Sequence, residues 1–190
     1  MFVKTLETIL TAEQSAKYQP LRVLYRVGGR ALMNRRGSRE GLAINLHGTG
    51  FSDGDMVLLY DVPNLRSLDL SGTLVTNAGL THLARLTSLQ WLDLCETQVS
   101  DAGLAELKGM SKLDAVDLRS TSVTDAGMVH LNGLTRLQRL VLHDTQVTDA
   151  GLKHLTGLTD LQELWLTATH VTDSGVAELK ESLPRLKVEK

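Results

Sequence analysis

One phrase that recurs at a constant interval constrains this sequence more than any other feature. The leucines that open its successive copies are Leu65, Leu89, Leu113, Leu137 and Leu161, and the step between them never varies. Each opens the pattern L-x-x-L-x-L-x-x-T, and V-T-D-A-G-L-x-x-L-x-x-L or a close variant follows it. A fixed period of this length indicates an architecture in which every repeat packs against its neighbours.

The two halves of the pattern predict different secondary structures. The alternation in L-x-x-L-x-L predicts one short strand, whereas the spacing of Leu80, Leu83 and Leu86 predicts one stripe of a short helix. A threonine or serine precedes each helix and is expected to cap it. The aspartate that usually follows, replaced once by Asn77, suits the positive end of the helix dipole. Because no repeat can bury its own apolar face, we expect the repeats to stack into a solenoid.

This pattern resembles the leucine-rich repeats, in particular the bacterial 24-residue type and the repeats of F-box leucine-rich proteins. In the F-box proteins a cysteine often stands where this chain has Thr73, Thr97, Thr121, Thr145 and Thr169. The resemblance extends over residues 41–188. It implies an α/β fold, a right-handed leucine-rich-repeat solenoid with the horseshoe arc of ribonuclease inhibitor. Parallel strands are expected on the concave face and short helices on the convex face. Such a scaffold serves many partners, so the fold alone names none.

The repeat register divides the chain into three segments. Residues 1–40 do not repeat and are predicted to form a helical, basic N-terminal cap with a strand at 30–34. Residues 41–185 hold six repeats, of which the first and the last are degenerate. Leu183 falls one residue late in the last repeat, and residues 186–190 are expected to provide a closing strand and the C-terminus.

Charge is distributed unevenly, although the net charge of the whole chain is only −2. Residues 1–40 carry eight basic and three acidic side chains, a surplus of five positive charges. We interpret the surplus as the solvated surface of a cap. The alternative is a site that binds nucleic acid or another anionic surface. No aromatic-rich RNA motif or zinc-finger spacing accompanies the basic residues.

Cysteine content suggests a reducing compartment. The single cysteine, Cys95, excludes an intrachain disulfide. Extracellular members of the resembled family are usually closed by cysteine-rich caps, which this sequence lacks, so we expect a cytoplasmic protein. We expect no signal peptide in the first residues, and no stretch approaches the roughly 18 apolar residues of a membrane span. We also expect a monomer.

The residues that point out of the predicted sheet define a candidate binding surface. The third, fifth and seventh positions of each repeat are expected to face away from the core. Both tryptophans of the chain occupy such positions, beside arginines, which is typical of a binding hot spot. Lateral packing on the sheet is the alternative. We predict that a protein partner contacts Trp91, Asp93, Asp117, Arg119, Arg139, Val141, His143, Glu163 and Trp165.

Three aspartates, Asp69, Asp93 and Asp117, follow one another at the fifth position. Carboxylates in line repel one another and favour a cation or a basic partner. The alternative is that they are exposed charges, screened by water and salt, since L-D-L is common in the resembled family.

Catalytic, metal and cofactor sites are not predicted. Cys95 and His143 suggest a nucleophile and its base, but they lie two strands apart, roughly 9.6 Å, with Arg119 between them. The helices carry another row of titratable residues: His82, Glu106, His130, His154 and Glu178. Neighbouring helices lie about 8–10 Å apart, too far for ligands that hold zinc at about 2 Å. We therefore predict a protein-binding module that is not an enzyme, needs no cofactor, and binds a protein rather than nucleic acid.

Overall fold

A single open sheet organises the molecule. The computed structural model describes residues 28, 30–34 and 41–190, so most of the predicted N-terminal cap, including its predicted helices, lies outside the described residues. Eight strands follow one another in space in chain order. They are β1 (Arg30–Asn34), β2 (Gly41–Asn45), β3 (Leu65–Asp69), β4 (Trp91–Asp93), β5 (Ala115–Asp117), β6 (Arg139–Val141), β7 (Glu163–Trp165) and β8 (Lys187–Glu189).

The pairing of the strands follows the period of the sequence. Strands β2 to β8 run parallel, whereas β1, the strand predicted at 30–34, lies antiparallel to β2 and covers its edge. Leu92 pairs with Val116 and then Leu140, each one repeat further along the chain. The closing strand expected within residues 186–190 forms at Lys187–Glu189. It continues the register because Lys187 pairs with Glu163.

The helical half of each repeat is short and changes its geometry within a few residues. The α-helices are α1 (Asn77–Leu80), α2 (Asp101–Leu104), α3 (Asp125–Met128), α4 (Asp149–Leu152) and α5 (Asp173–Ser182). The 3-10 helices are η1 (Asp53–Leu59), η2 (Leu83–Arg85), η3 (Ala105–Leu107), η4 (Val129–Leu131) and η5 (Lys153–Leu155). Leucines that recur every three residues stay on one side when the chain has three residues per turn, so the segment tightens into a 3-10 helix.

The last helix, α5, is the exception and has ten residues. Its buried Leu179 and Leu183 lie four positions apart, a spacing that suits the 3.6 residues per turn of an α-helix. Because Leu183 falls one residue late in the repeat, its spacing from Leu179 fits a regular α-helix in the last repeat.

Aliphatic side chains fill the space between sheet and helices. Leu68, Leu92, Val116, Leu140 and Leu164 form one continuous buried row of the core. Beside this core runs the threonine row that the sequence aligned with a family cysteine. Each hydroxyl donates to the carbonyl of the leucine three residues earlier, at 2.6–2.8 Å. A buried hydroxyl needs such an acceptor, and the turn after the strand provides it.

Hydrogen bonds between neighbouring repeats add to the helix caps expected from the sequence. In four repeats the carboxylate that begins the helix accepts two bonds, from the N–H and the hydroxyl of the threonine one repeat later. These pairs are Asp53 with Thr76, Asp101 with Thr124, Asp125 with Thr148 and Asp149 with Thr172. The two bonds from Thr172 hold the pKa of Asp149 below its ordinary value.

The predicted threonine caps are present as well. Thr124, for example, accepts a bond from the N–H of Ala126 while its hydroxyl donates to Asp101. Ser100 differs because Asn77 precedes it: the amide of Asn77 donates to the Ser100 hydroxyl at 2.8 Å, and Ser100 makes no cap bond. Asn77 in place of the usual aspartate and Ser100 in place of the usual threonine therefore form one bonded pair.

Each of the strands β2 to β7 ends in a turn with one left-handed residue. Its φ lies between 51° and 65° in Gly48, Gly72, Glu96, Ser120, Asp144 and Ala168. In Glu96, as an example, the N–H reaches the carbonyl of Arg119 in the next repeat at 2.9 Å. None of the helices in the part of the chain described above has the length and apolar character that crossing a bilayer demands.

Candidate functional site

A depression of about 260 Å³ lies on the concave face, at the centre of the sheet. We call it the concave depression; its lining residues are Trp91, Asp93, Ala115, Val116, Asp117, Arg119, Arg139, Val141, His143 and Trp165. Eight of the nine residues predicted for a partner surface are among them. The ninth, Glu163, contacts the depression through Arg139. The small Ala115 lies in register between Trp91 and Arg139, which leaves space between these two large side chains.

The three aligned aspartates turn back toward the backbone. Asp93 and Asp117 are only 7% and 8% exposed, so the interpretation of these residues as exposed, solvent-screened charges is wrong. Each carboxylate accepts a bond from the N–H two residues later, as short polar side chains do in turns. The bonds run from Ser71 to Asp69 at 3.0 Å, from Cys95 to Asp93 at 2.9 Å and from Arg119 to Asp117 at 3.1 Å.

The three carboxylates differ in how their charge is balanced. Asp69 receives the side-chain amide of Asn45 at 2.6 Å. Asp117 holds the Arg119 guanidinium, whose Nε lies 3.0 Å from both carboxylate oxygens. This bond raises the pKa of Arg119. Asp93, between them, receives no side-chain donor from the described residues.

Burial perturbs the ionisation of Asp93. Its pKa is raised from 3.8 to about 6, mainly by loss of water and also by the neighbouring carboxylates Asp117 and Asp69. The N–H of Cys95 and the charge of Arg119 act in the opposite direction but do not outweigh burial. An ionised Asp93 is therefore a negative charge that the fold itself stabilises poorly.

Contacts within the chain hold the Trp165 end of the depression. The indole Nε1 of Trp165 donates to Glu189 at 2.8 Å. The guanidinium of Arg139 lies 5.1 Å from the Trp165 ring and pairs with Glu163 at 2.6 Å. Lateral packing, the alternative weighed for the tryptophans, thus describes Trp165. The sequence analysis missed Glu189, although its place one full repeat after Trp165 is the signal that identifies it.

Trp91 is half-buried at the other end of the depression. It lies in register between two small residues, Ser67 and Ala115. Within the part of the chain that the structure describes, its indole N–H donates to no protein group. This side chain therefore offers both a ring face and a free donor to a partner.

Neither nucleophilic nor metal chemistry is favoured at this surface. Burial raises the pKa of the Cys95 thiol to about 11, so the thiol stays protonated and unreactive at neutral pH. Ligand atoms of Asp93, Cys95 and Asp117 lie within 4.8 Å of one another. Arg119, however, already binds both oxygens of Asp117, which argues against a cation at that carboxylate.

One residue of the helical row of histidines and glutamates has a defined side-chain partner. His82 is half-buried, and its Nδ1 forms a hydrogen bond with the hydroxyl of Tyr60. The guanidinium of Arg85 lies 4.4 Å above the Tyr60 ring. This cluster joins the first two repeats on the convex side.

Comparisons with known proteins agree with the geometry. The family model described as leucine-rich repeat matches residues 63–84, while no curated protein matches the chain. Among solved structures, internalin inlF from Listeria monocytogenes is 28% identical with a TM-score of 0.58, over 70% of this chain and 36% of that protein. Internalin C2 of the same species is 25% identical with a TM-score of 0.57, over 77% of this chain and 69% of that protein.

The chain thus spans little more than a third of the length of internalin inlF. The resemblance to F-box repeats stays a prediction. The regular ladder of parallel strands, the short helices, the matching family model and the two internalin structures agree with one another, and the chain has the fold of a leucine-rich-repeat solenoid.

Proposed function

We propose that this protein is a non-catalytic protein–protein interaction module that binds its partner through the concave depression. The observation that carries the proposal is the convergence of Trp91, Arg139, Val141 and His143 around one depression at the centre of the sheet. Tryptophan and arginine are enriched among the residues that dominate binding energy at protein interfaces.

The shape of the depression favours a protein over a small molecule. Its volume of about 260 Å³ falls below the roughly 300–1,000 Å³ of typical ligand pockets. An open surface of this size accommodates a few side chains of a partner.

Two parts of the surface serve different purposes in this proposal. Arg139 and Trp165 are already fixed by Glu163 and Glu189, so a partner orders them at little entropic cost. Trp91 and Val141 supply apolar area that remains partly open.

The proposal includes the absence of catalysis. Cys95 is protonated and Asp117 is bound by a guanidinium, so these two residues do not supply an activated nucleophile with its general base. We also propose a cytoplasmic location, supported by the buried free thiol of Cys95. Fractionation of the source cells with compartment markers tests it, and a secreted protein contradicts it.

Site-specific crosslinking tests the binding surface. A photoreactive phenylalanine analogue is placed at Val141 in the depression and, as matched control, at Val129, which is 48% exposed on the convex side. We expect a defined adduct in cells from position 141, absent from position 129 and lost when Trp91→Ala is added. Adducts from position 129 alone contradict the proposal.

The alternative function, binding of nucleic acid or anionic surfaces through residues 1–40, concerns a segment largely outside the described residues. Charge reversal at Arg35 and Arg36 distinguishes the two functions. If that change removes the adduct while Trp91→Ala leaves it intact, the basic segment is the binding site. Steep loss of binding with added salt then marks a phosphate contact.

A further inference from the structure

We propose that Asp93 is the anchor for a cationic side chain, lysine or arginine, of the partner protein, and that Trp91 packs against the same side chain. This inference rests on the proposed function and adds the chemistry of the group that enters the concave depression.

Charge balance along the aspartate row singles out Asp93. Asn45 and the Ser71 hydroxyl donate to Asp69, and Arg119 binds Asp117. Within the described residues, the donor to Asp93 is the backbone N–H of Cys95, which uses Oδ1. Oδ2 of Asp93 is therefore the carboxylate oxygen of the row that is left for a partner.

The arginines nearest to Asp93 are already engaged elsewhere. Arg119 contacts both oxygens of Asp117, and Arg139 is bonded to Glu163. Moving either guanidinium to Asp93 breaks a charge-assisted bond and leaves another carboxylate unpaired. A cation from outside the chain meets no such competition.

Burial makes this position selective for charge. Asp93 is only 7% exposed, yet it lines the depression. A carboxylate shielded from water interacts with an opposite charge more strongly than one in bulk solvent. A neutral donor satisfies Oδ2 but leaves the negative charge unbalanced, so a cation is the better complement.

Trp91 completes the site from the same strand. Residues two apart on a strand face the same side, with Cα atoms about 6.6 Å apart, and Trp91 and Asp93 both line the depression. A lysine or arginine side chain that reaches Asp93 therefore passes near the indole, and aromatic rings attract cations within about 6 Å of the ring centre. Ala115, in register beside Trp91, leaves room for the entering side chain.

The test uses tetralysine as probe, with a tetrapeptide of Nε-acetyl-lysine as the uncharged control. Nuclear magnetic resonance follows the amide of Cys95, which reports on Asp93, and the indole N–H of Trp91. We expect tetralysine to shift both signals saturably and the acetylated peptide to leave them in place. Shifts confined to other surfaces overturn the inference.

Two variants that each lose one negative charge distinguish a direct contact with Asp93 from the long-range electrostatic attraction of the whole aspartate row. Asp93→Asn keeps an acceptor for the Cys95 N–H and is expected to weaken tetralysine binding at least tenfold. Asp69→Asn removes one charge from the same row but at a carboxylate that is already bonded, so we expect less than a threefold change. Equal effects of the two variants contradict a specific role of Asp93.

A measurement on the unmodified protein covers the case that Asp93→Asn does not fold. The side-chain carbon signal of Asp93 is titrated with and without tetralysine; binding of the cation must lower the pKa of Asp93. An unchanged pKa removes the inference. The crosslinking result separates it from the proposed function: an adduct at Val141 that Asp93→Asn does not affect leaves the concave binding surface standing and eliminates only the cationic anchor.

Discussion

Gly127 lies directly against the carboxylate of Asp101, one repeat earlier. A Cβ on Gly127 stands 2.4 Å from Asp101 Oδ1 and 3.0 Å from a methyl carbon of Leu104. The same contact recurs at Gly79, Gly103, Gly151 and Gly175, where the facing oxygen is 2.1–2.5 Å from the added carbon. The glycine of the repeat is therefore required by the spacing between neighbouring helices, since the preceding Asp or Asn reaches over it to bond the next Thr or Ser.

Replacing this glycine tests the close packing. We expect Gly127→Ala to lower the free energy of unfolding by about 2–4 kcal/mol, because the contacting carboxylate is fixed by two bonds, one at each oxygen, and has no room to move. Alanine is the better helix former, so a loss of stability is attributable to the contact. Gly133→Ala, whose added carbon meets nothing within 4 Å, is the control and should be neutral or slightly stabilising in urea denaturation.

The bond between repeats is tested by removing its acceptor. Asp101→Ala leaves the N–H and the hydroxyl of Thr124 without their partner. We expect a loss of about 2–3 kcal/mol, typical of hydrogen bonds to a charged group. Asp173 occupies the same place in the last repeat but contacts Lys190 instead of a threonine. If Asp173→Ala lowers the melting temperature as much as Asp101→Ala does, the role assigned to Asp101 is contradicted.

The left-handed turns allow a stabilising change. Ala168 has a φ of 57°, a conformation that disfavours a side chain by about 1–2 kcal/mol. We expect Ala168→Gly to raise stability by up to about 1 kcal/mol, because glycine loses more backbone entropy on folding and offsets part of the gain. Ala102→Gly, within the helix α2, should instead lower stability. Thermal melting of both variants checks these expectations. If both variants change the stability in the same direction, the prediction is contradicted.

The stability of the protein should depend on the ionisation of Asp93. Its pKa is raised to about 6 in the folded protein, so the folded state binds this proton more tightly than the unfolded chain. Stability from this group is complete below the unfolded pKa of about 3.9 and is lost as pH rises through about 6. Relative to wild type, Asp93→Asn should therefore gain about 1–3 kcal/mol between about pH 4.5 and 7.5. Parallel stability profiles of the two proteins argue against a buried, poorly balanced carboxylate.

The outcome for Asp93 also changes what its substitution should do to binding. An exposed charge at this position would affect mainly the association rate and its salt dependence. A shielded carboxylate that contacts the partner directly acts on the dissociation rate as well, because its loss removes a desolvated contact. Stopped-flow measurements on Asp93→Asn, once a partner is available, separate these two effects.

The sequence determined the register of the strands and which side chains form the core of this protein. A constant period that places leucine at fixed positions leaves one way to stack the repeats, and Leu92, Val116 and Leu140 are buried in line as that period requires. The alternation of the strand also determined that Trp91, Val141 and Trp165 share the outer face. Periodicity suffices here because the hydrophobic effect depends on which face a residue occupies and little on its neighbours in detail.

Tertiary structure alone decided how the polar side chains of that face pair. The carboxylate of Asp93 turns back to Cys95 and is buried, Arg119 is occupied by Asp117, and Trp165 is held by Glu189. Trp165 and Glu189 lie a full repeat apart, and all of these bonds depend on side-chain rotamers and on distances of about 3 Å. A repeat pattern fixes the face that a side chain occupies, but the direction of a hydrogen bond follows only from the positions of both partners in space.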